Sequence, residues 1–128
     1  MTTLTNMLST LESYLNLTTQ RQQAIAANMA NVDTPGYHTR DVDFQRELHR
    51  AMTSEVEFES GSVSRSGQLT PAFAEVGGLL ERPDGNNVSL DRESLALSQT
   101  QLQYQIGVQL VKHHFHGLLS AISGGGQG

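Results

Sequence analysis

The sequence contains no cysteine and no tryptophan, and its only aromatic side chains are 3 Tyr and 4 Phe. The lack of cysteine excludes disulfides and thiolate metal sites, and it fits either a reducing cytosol or an exported chain without cross-links. Because aromatic residues are few and apolar residues make up 37% of the chain, a self-contained core would be thinly filled. The 8 Lys and Arg residues are scattered and the formal charge is −5, which argues against a nucleic-acid partner.

A long apolar run is also missing. Residues 1–20 contain Thr, Asn, Ser and Glu throughout, so they lack the charged start and apolar block of a signal peptide. The sequence therefore predicts neither a transmembrane segment nor a cleavable signal peptide, and it leaves open an export route that keeps the N-terminus intact. At 128 residues the chain is at most one ordinary domain.

Proline and glycine are absent before position 35, and apolar residues recur there with the period of a coiled coil. The steps between them alternate between four and three residues, which predicts a single helix over residues 1–33. Thr18 and Gln22 interrupt this N-terminal seam with polar side chains, which weaken packing but can fix its register. The apolar members of the seam are Leu4, Leu8, Leu11, Leu15, Ile25, Met29 and Val32.

A second seam of the same period predicts a C-terminal coiled-coil helix over residues 87–123. Ser89 is expected to cap this helix, Asp91 and Glu93 fall in its first turn, and the Gly-rich tail at 124–128 is expected to end it. The members of this C-terminal seam are Leu97, Gln101, Tyr104, Val108, Val111, Phe115, Leu118 and Ile122. A further apolar stripe, called the outer stripe below, consists of Leu95, Leu102, Ile106 and Leu110.

The fold class is therefore mainly α, with long N- and C-terminal helices packed as an antiparallel coiled-coil pair. Such a pair leaves the outer stripe exposed, because one partner helix cannot cover so wide an apolar arc. Four apolar side chains at about 1.5–3 kcal/mol each leave roughly 6–12 kcal/mol of burial unused in a monomer. Other copies of the chain, or other proteins with similar helices, are the simplest cover.

The middle of the chain has no strong period. Residues 34–53 are expected to form a corner and a short helix that Asp43 caps, with Phe44, Leu48 and Met52 along one face. Residues 54–86 contain Gly and Pro at frequent intervals. They are expected to be an irregular segment that either contains one short hairpin or is disordered until it docks.

The tetrapeptide Thr-Pro-Gly-Tyr at 34–37 marks the end of the first helix. Pro35 pushes Thr34 out of the α region, and the Pro-Gly pair suits the central positions of a type II turn. Asn28 and Asn31 lie three residues apart on one face of the preceding helix, and Tyr37 combines an apolar ring with a hydroxyl group. The residues predict a rigid corner at the end of a packed helix without identifying what the corner contacts.

The stretch "IAANMANVDTPGY" at 25–37 resembles the motif of flagellar basal-body rod and hook proteins. The residues that follow it, "HTRDVDFQREL", and the block "DGNNVSLDRESLALSQTQLQYQIGVQL" at 84–110 are similar to the short members of that family that form the proximal rod. The resemblance covers both ends of the chain but not residues 54–83.

This resemblance implies a structural subunit and not an enzyme, with no cofactor and no small-molecule substrate. Such proteins are exported through the flagellar type III apparatus and polymerise, so that their terminal helices form the inner coiled-coil layer of a helical tube. The implied location is the periplasmic rod of the basal body near the inner-membrane ring. The implied partners are other copies, rod proteins of the FlgC type and the adaptor FliE. The motif carries over to Asn28, Asn31, Thr34, Pro35, Gly36 and Tyr37, with Asp84, Gly85, Asn86 and Asn87 before the second helix.

Three alternatives stay open. A non-polymerising coiled-coil adaptor or chaperone would form a defined low oligomer at every concentration. A rod neighbour of the FlgC type differs from the favoured interpretation only in the central segment and the "TRDVDF" stretch. A small metal-dependent hydrolase would use His113 and His116, which are three residues apart on one helix, but no carboxylate lies within a turn of them.

The remaining titratable residues suggest no catalytic site. Protonation of the histidines at 113, 114 and 116 is a possible means of tuning assembly with pH. The carboxylate pairs Asp41/Asp43 and Asp91/Glu93 are interpreted as helix caps and first-turn charges, because nothing predicts a pocket that would shift their pKa values.

Overall fold

The computed structural model describes residues 2–59 and 70–125. It contains three helices, α1 (Thr2–Ala30), α2 (Phe44–Glu59) and α3 (Leu90–Gly125), and two short strands, β1 (Arg40–Asp41) and β2 (Ala74–Glu75). The two long terminal helices pack against each other, and a short irregular middle carries the small sheet. The predicted mainly helical fold class is confirmed. Within the described ranges, each helix is too short or too polar to cross a membrane.

Helix α1 ends at Ala30, three residues before the predicted boundary. The chain then continues as a series of turns, in which the Asn31 N–H donates to Ala27 O at 3.1 Å and the Thr34 N–H donates to Asn31 O at 3.0 Å. The α-helical bonding pattern is given up a full turn before Pro35, because Pro35 excludes the residue before it from the helical region.

Helices α1 and α3 run antiparallel. The Tyr14 hydroxyl donates to Gln103 O at 3.0 Å, and the Asn28 amide donates to Glu93 Oε2 at 3.0 Å. The beginning of α3 therefore lies beside the end of α1. A Cβ added to Gly107 would lie only 2.7 Å from Leu15 Cδ2 and 2.9 Å from a Tyr14 ring carbon, so the two helices approach closely there.

Capping residues set the start of the two later helices. The Arg92 N–H donates to Ser89 Oγ at 3.3 Å, and the Arg46 N–H donates to Asp43 Oδ1 at 3.1 Å. Both N-caps were predicted, and both satisfy a backbone donor that has no partner inside its own helix. Helix α3 continues to Gly125, two residues beyond the predicted boundary at 123.

Helix α2 is longer than expected. It continues to Glu59, although the irregular segment was expected to begin at residue 54. Residues 54–59 contain neither Gly nor Pro, so nothing in the backbone stops the helix there. The Phe44 ring meets the Tyr14 ring edge to face, with centroids 5.4 Å apart, which joins the start of α2 to α1.

The small sheet pairs two strands that are far apart in the sequence. Strands β1 and β2 are antiparallel, with Arg40 opposite Glu75 and Asp41 opposite Ala74. The expected hairpin would have paired two strands inside residues 54–86. Instead, β2 pairs with a strand of the corner segment, which ties residues 70–76 to the end of α1. Part of the expected irregular segment, residues 60–69, lies outside the described residues.

The buried face of α3 differs from the apolar seam that the pattern indicates. Glu93, Ala96, Thr100 and Gly107 are buried, whereas Tyr104, Phe115 and Ile122 of the C-terminal seam are exposed. Short side chains let the helix backbones approach closely, so the contact follows small residues instead of the longest apolar ones. The seam members Val108, Val111 and Leu118 are partly buried.

Candidate functional site

The Thr-Pro-Gly-Tyr corner is a hydrogen-bonded turn that packs against the loop before α3. The Tyr37 N–H donates to Thr34 O at 3.2 Å and Gly36 has a φ of +76°, which is the geometry of the predicted type II turn. The Gly36 N–H donates to Asp84 O at 2.9 Å. A Cβ on Gly85 would lie 3.3 Å from the Gly36 Cα, so two glycines are required where these segments meet.

Asn28 connects three elements from a buried position. Its side chain is 1% exposed, and its amide nitrogen donates to Arg40 O at 2.8 Å and to Glu93 Oε2 at 3.0 Å. Its amide oxygen accepts from the Tyr37 hydroxyl at 3.0 Å and from the Arg40 N–H at 3.1 Å. Two donors and two acceptor positions are all that an asparagine side chain has. The amide is fully used, and it joins α1 to β1, to the corner and to α3.

Asn86 also connects separate segments, because its side chain bonds to the backbone that follows the end of α1. Its amide nitrogen donates to Asn31 O at 2.9 Å and to Thr34 O at 2.8 Å, so two carbonyl groups beyond the last helical turn gain partners. Its amide oxygen accepts from the Val88 N–H at 2.8 Å. A side chain from the loop before α3 therefore caps the C-terminal end of α1.

The neighbouring residue Asn87 joins the same loop to the segment after the corner. Its amide oxygen accepts from the Thr39 N–H at 2.7 Å, and its own N–H donates to Tyr37 O at 3.3 Å. The Arg82 guanidinium also donates to Val32 O. The side-chain amides of Asn86 and Asn87 therefore hydrogen-bond to the backbone of the corner and of the residues beside it.

A chain of charged groups lies beside this amide network. Arg21 pairs with Asp41 through Nε–Oδ1 at 3.1 Å, and Arg92 joins Asp41 Oδ2 at 3.1 Å to Glu93 Oε1 at 2.7 Å. Burial acts to raise the pKa of Asp41. The hydrogen bond and charge of Arg21, the Val42 N–H and the Arg92 hydrogen bond outweigh that effect, so the pKa lies below its usual value.

Only two of the four carboxylates that were interpreted as helix caps or first-turn charges have that role in the structure. Asp43 caps α2 as predicted, and Asp91 is exposed in the first turn of α3. Asp41 and Glu93 instead are members of the charged chain, and Glu93 is 0% exposed. Glu93 and Asn28 are 65 residues apart in sequence, so no local pattern could have indicated their contact.

His38 links the corner segment to the central segment. Its Nδ1 lies 3.1 Å from Glu75 Oε2, and its Nε2 lies 3.9 Å from Glu81 Oε2. The hydrogen bond with Glu75 is the main cause of a raised pKa at His38, with the charges of Glu75 and Glu81 acting in the same direction against desolvation. Glu75 and Glu81 are exposed and His38 is only partly buried, so the contact contributes little to stability.

The histidines of α3 were the candidate metal ligands. The rings of His113 and His114 meet at a centroid distance of 6.5 Å, and His113 and His116 are exposed. Residues 2–59 and 70–125 contain no group of three or more His, Cys, Asp or Glu side chains placed to hold a metal ion.

The structure divides the predicted site residues into a buried group and an exposed group. In the corner, Asn28 is buried, Asn31 and Tyr37 are partly buried, and Thr34, Pro35 and Gly36 are exposed. All seven apolar members of the N-terminal seam are buried or partly buried. The outer stripe is exposed at every position, with side chains 44–62% accessible.

Comparison with known proteins adds a family to this geometry. Residues 8–38 match the family described as flagella basal body rod protein. The flagellar basal body rod protein FlgB of Salmonella typhimurium is 39% identical over 123 residues, covering 87% of this chain and 88% of the relative. The FlgB of Escherichia coli is 38% identical over 122 residues with the same coverage. The FlgB of Borrelia hermsii is 34% identical over 114 residues, covering 80% of this chain and 84% of the relative.

Proposed function

The chain belongs to the FlgB family of flagellar basal body rod proteins, and from this premise we propose that it polymerises through its terminal helices within the proximal rod. It is a structural subunit of the basal body rod and not an enzyme. The proposal adds the mode of assembly, the position along the rod and the neighbours.

The outer stripe is the observation that carries the proposed mode of assembly. Its four residues lie on the side of α3 that faces away from α1, and each is at least 44% exposed. Their burial against a neighbouring helix would supply the hydrophobic free energy that the isolated chain leaves unused. We propose that the stripe meets a different surface on the neighbouring subunit and that the rotation between subunits does not close, in which case such contacts extend into a helical tube.

The corner supports the same mode of assembly by a different route. The hydrogen bonds of the corner fix the orientation of α1 relative to the following segment, which contains β1. Thr34, Pro35 and Gly36 remain exposed. A rigid corner holds both terminal helices in one orientation before assembly, which lowers the conformational entropy lost on binding.

The neighbours follow from the family. The chain assembles with other components of the basal body rod, and the proposed ones are further copies of itself, rod proteins of the FlgC type and the adaptor FliE. We further propose that it passes through the flagellar export apparatus without a cleavable signal peptide and lies in the periplasm next to the inner-membrane ring.

A charge placed in the outer stripe tests the mode of assembly. Replacing Leu102 or Ile106 with Asp should abolish incorporation into isolated basal bodies and motility while leaving the monomer soluble and helical, since a carboxylate cannot be buried there unpaired. The control is Leu80→Asp, because Leu80 is 92% exposed outside α3 and the substitution should leave both readouts unchanged. Normal incorporation of the α3 variants, or their aggregation as misfolded monomers, would overturn the proposal.

A further inference from the structure

A single imidazole joins the two ends of the loop that follows β2. His38 lies in the corner segment, and its Nδ1 lies 3.1 Å from Glu75 Oε2. Its Nε2 lies 3.9 Å from Oε2 of Glu81, which comes later in the same loop. The chain turns at Gly77 and Gly78 between the two carboxylates, so the ring of His38 meets both arms of the loop.

The geometry selects the protonated form of this imidazole. Ionised carboxylates only accept hydrogen bonds, whereas a neutral imidazole has one N–H and one lone pair. If the proton is on Nδ1, as the hydrogen bond to Glu75 requires, the lone pair of Nε2 faces the Glu81 carboxylate. The imidazolium has an N–H at both nitrogens and a charge opposite to that of the carboxylates, so it attracts both of them at once.

Among the described residues, His38 is the only basic partner of these two carboxylates. The ion pairs of Glu75 and of Glu81 within residues 2–59 and 70–125 are those with His38. The guanidinium groups of Arg40 and Arg82 donate instead to backbone carbonyl groups. The charged groups on the segments that surround His38 are Asp33, Arg40, Glu75, Glu81, Arg82 and Asp84.

The loop between the two carboxylates has little packing of its own. Gly77 and Gly78 are exposed and lack side chains, and Leu80 is 92% exposed. Contacts at the two ends of the loop therefore hold it in place. We propose that protonated His38 is a clasp that holds residues 75–81 against the corner segment, and that loss of its proton loosens this loop.

Protonation closes the clasp and deprotonation opens it. The hydrogen bond with Glu75 is the main cause of the raised pKa of His38. A group whose pKa is raised by folding makes its full contribution below the unfolded-state value, which is about 6.5 for histidine, and loses it as the pH rises through the folded-state pKa. The clasp is therefore closed in mild acid and open in mild alkali, and both conditions lie above the range in which carboxyl groups ordinarily titrate.

Hydrogen exchange of one amide reports the state of the clasp. The Val76 N–H donates to Thr39 O at 2.9 Å, and these two residues directly follow Glu75 and His38 in the sequence. NMR on the full chain measures the protection factor of Val76, which is corrected for the intrinsic exchange rate at each pH. This factor should fall about two- to fivefold between about pH 5.5 and about pH 8, the range that an exposed ion pair supplies. The Thr100 amide, inside α3, should keep the same protection at both pH values.

Substitutions distinguish the clasp from an ordinary surface contact. His38→Gln should remove the pH dependence at Val76, whereas the control His49→Gln, at an exposed position of α2, should keep it. In an NMR titration of the ring, Glu75→Gln should lower the pKa of His38 more than Glu81→Gln does. The reason is that only the Glu75 carboxylate lies within hydrogen-bond distance of the imidazole.

Two results would overturn the proposal. One is equal protection of Val76 at both pH values in the wild type, and the other is a pH dependence that survives in His38→Gln. If His38→Gln does not fold, Glu75→Gln replaces it, because the Glu75 side chain is 68% exposed and its substitution should remove most of the pH dependence. A full wild-type dependence in Glu75→Gln would equally contradict the clasp. The measurement uses the monomer, so its outcome is independent of the proposed mode of assembly.

Discussion

At the scale of single residues, the corner depends on buried amides whose hydrogen bonds are all made. Asn28 uses both donors and both acceptor positions on three different elements, and Asn86 does the same work for the carbonyl groups after α1. Since a buried polar group without a partner costs more free energy than a hydrogen bond contributes, no smaller or apolar side chain can replace these residues. This is a physical reason for the asparagine at position 28, before Thr-Pro-Gly-Tyr, and for the one at position 86, in the loop before α3.

Substitution of Asn28 tests this argument. Asn28→Ala should lower the free energy of unfolding by about 2–4 kcal/mol, because Oε2 of the buried Glu93 carboxylate and the N–H and carbonyl of Arg40 lose the hydrogen bonds that Asn28 makes with them. Asn31→Ala is the control and should cost less than about 1 kcal/mol, since the Asn31 side chain makes only local bonds at a partly exposed position. Urea unfolding followed by circular dichroism measures both values. Equal losses for the two variants would contradict the role of Asn28.

The charged chain makes a prediction about pH. Because the folded-state pKa of Asp41 is lowered, its contribution to stability is complete above the unfolded-state pKa of about 3.9 and is lost as the pH falls through the folded-state value. The free energy of unfolding should therefore fall in acid, and Asp41→Asn should flatten part of that fall. Asp33→Asn, at an exposed position, should leave the pH profile unchanged. A wild-type profile retained by Asp41→Asn would show that the ion pairs with Arg21 and Arg92 do not contribute.

Only some of the contacts between individual residues could be predicted from the sequence. The type II turn and the caps at Asp43 and Ser89 were predictable, because each depends on residues within four positions of one another. The contacts of Asn28 with Glu93 and of Arg21 with Asp41 were not predictable, because they join distant segments through side chains that look ordinary on an exposed helix face.

At the scale of elements, small and polar side chains take part in the close contact between α1 and α3. Thr18, Thr100 and Gly107 are buried there, and the hydroxyl groups of both threonines donate to carbonyls of their own helices. Gln103 Oε1 is buried without a partner among the described residues. Such a contact fixes where the helices cross but leaves much of their apolar surface available to other partners.

Two glycines in the interior of α3, Gly107 and Gly117, provide a matched pair of substitutions. Gly117→Ala should stabilise the helix by up to about 1 kcal/mol, the usual difference in helix propensity, because its new Cβ meets nothing within 4 Å. Gly107→Ala should instead destabilise the protein by about 1–2 kcal/mol through overpacking, since its Cβ would lie 2.9 Å from the Tyr14 ring.

That ring cannot move freely, because its hydroxyl is bonded to Gln103 and its edge contacts Phe44. Thermal unfolding of the two variants measures the difference. Equal stabilisation by both alanines would show that the helices do not approach closely at Gly107.

The heptad periodicity predicted where the long helices lie in the sequence better than it predicted which side of each helix is buried. The heptad steps indicated both long helices, and the seven apolar seam residues of α1 are buried or partly buried. On α3, a scale that ranks residues by hydrophobicity selects Tyr104 and Phe115, whereas the contact is made through Ala96, Thr100 and Gly107. Small side chains carry little hydrophobic signal, so a close helix approach is hard to recognise in a sequence.

At the scale of the whole molecule, the packing is tightest at the corner and weakens toward the free ends of the terminal helices. The buried residues of α3 all lie between Leu90 and Gly107, and α1 has no buried residue between Leu4 and Thr10. Residues 108–124 of α3 are exposed or only partly buried. The isolated chain therefore has a stable end, where α1, β1 and α3 meet, and an end that depends on neighbours.

Hydrogen exchange on the monomer should follow this gradient. Amides of residues 11–28 and 90–107 should exchange slowly, and those of 2–10 and 112–125 should exchange faster, because local opening costs less where few side chains are buried. Mass spectrometry of the monomer at low micromolar concentration measures the rates. Uniform protection along both helices would mean that the free ends are stable without neighbours.

Electron cryomicroscopy of the basal body rod that contains this chain tests the central claim most directly, because it shows what covers the outer stripe. We expect Leu102, Ile106 and Leu110 to be buried against a helix of a neighbouring subunit, with the corner unchanged from the isolated chain. A rod in which these three side chains face solvent, and in which the subunits meet through residues 70–88 instead, would contradict assembly through the terminal helices.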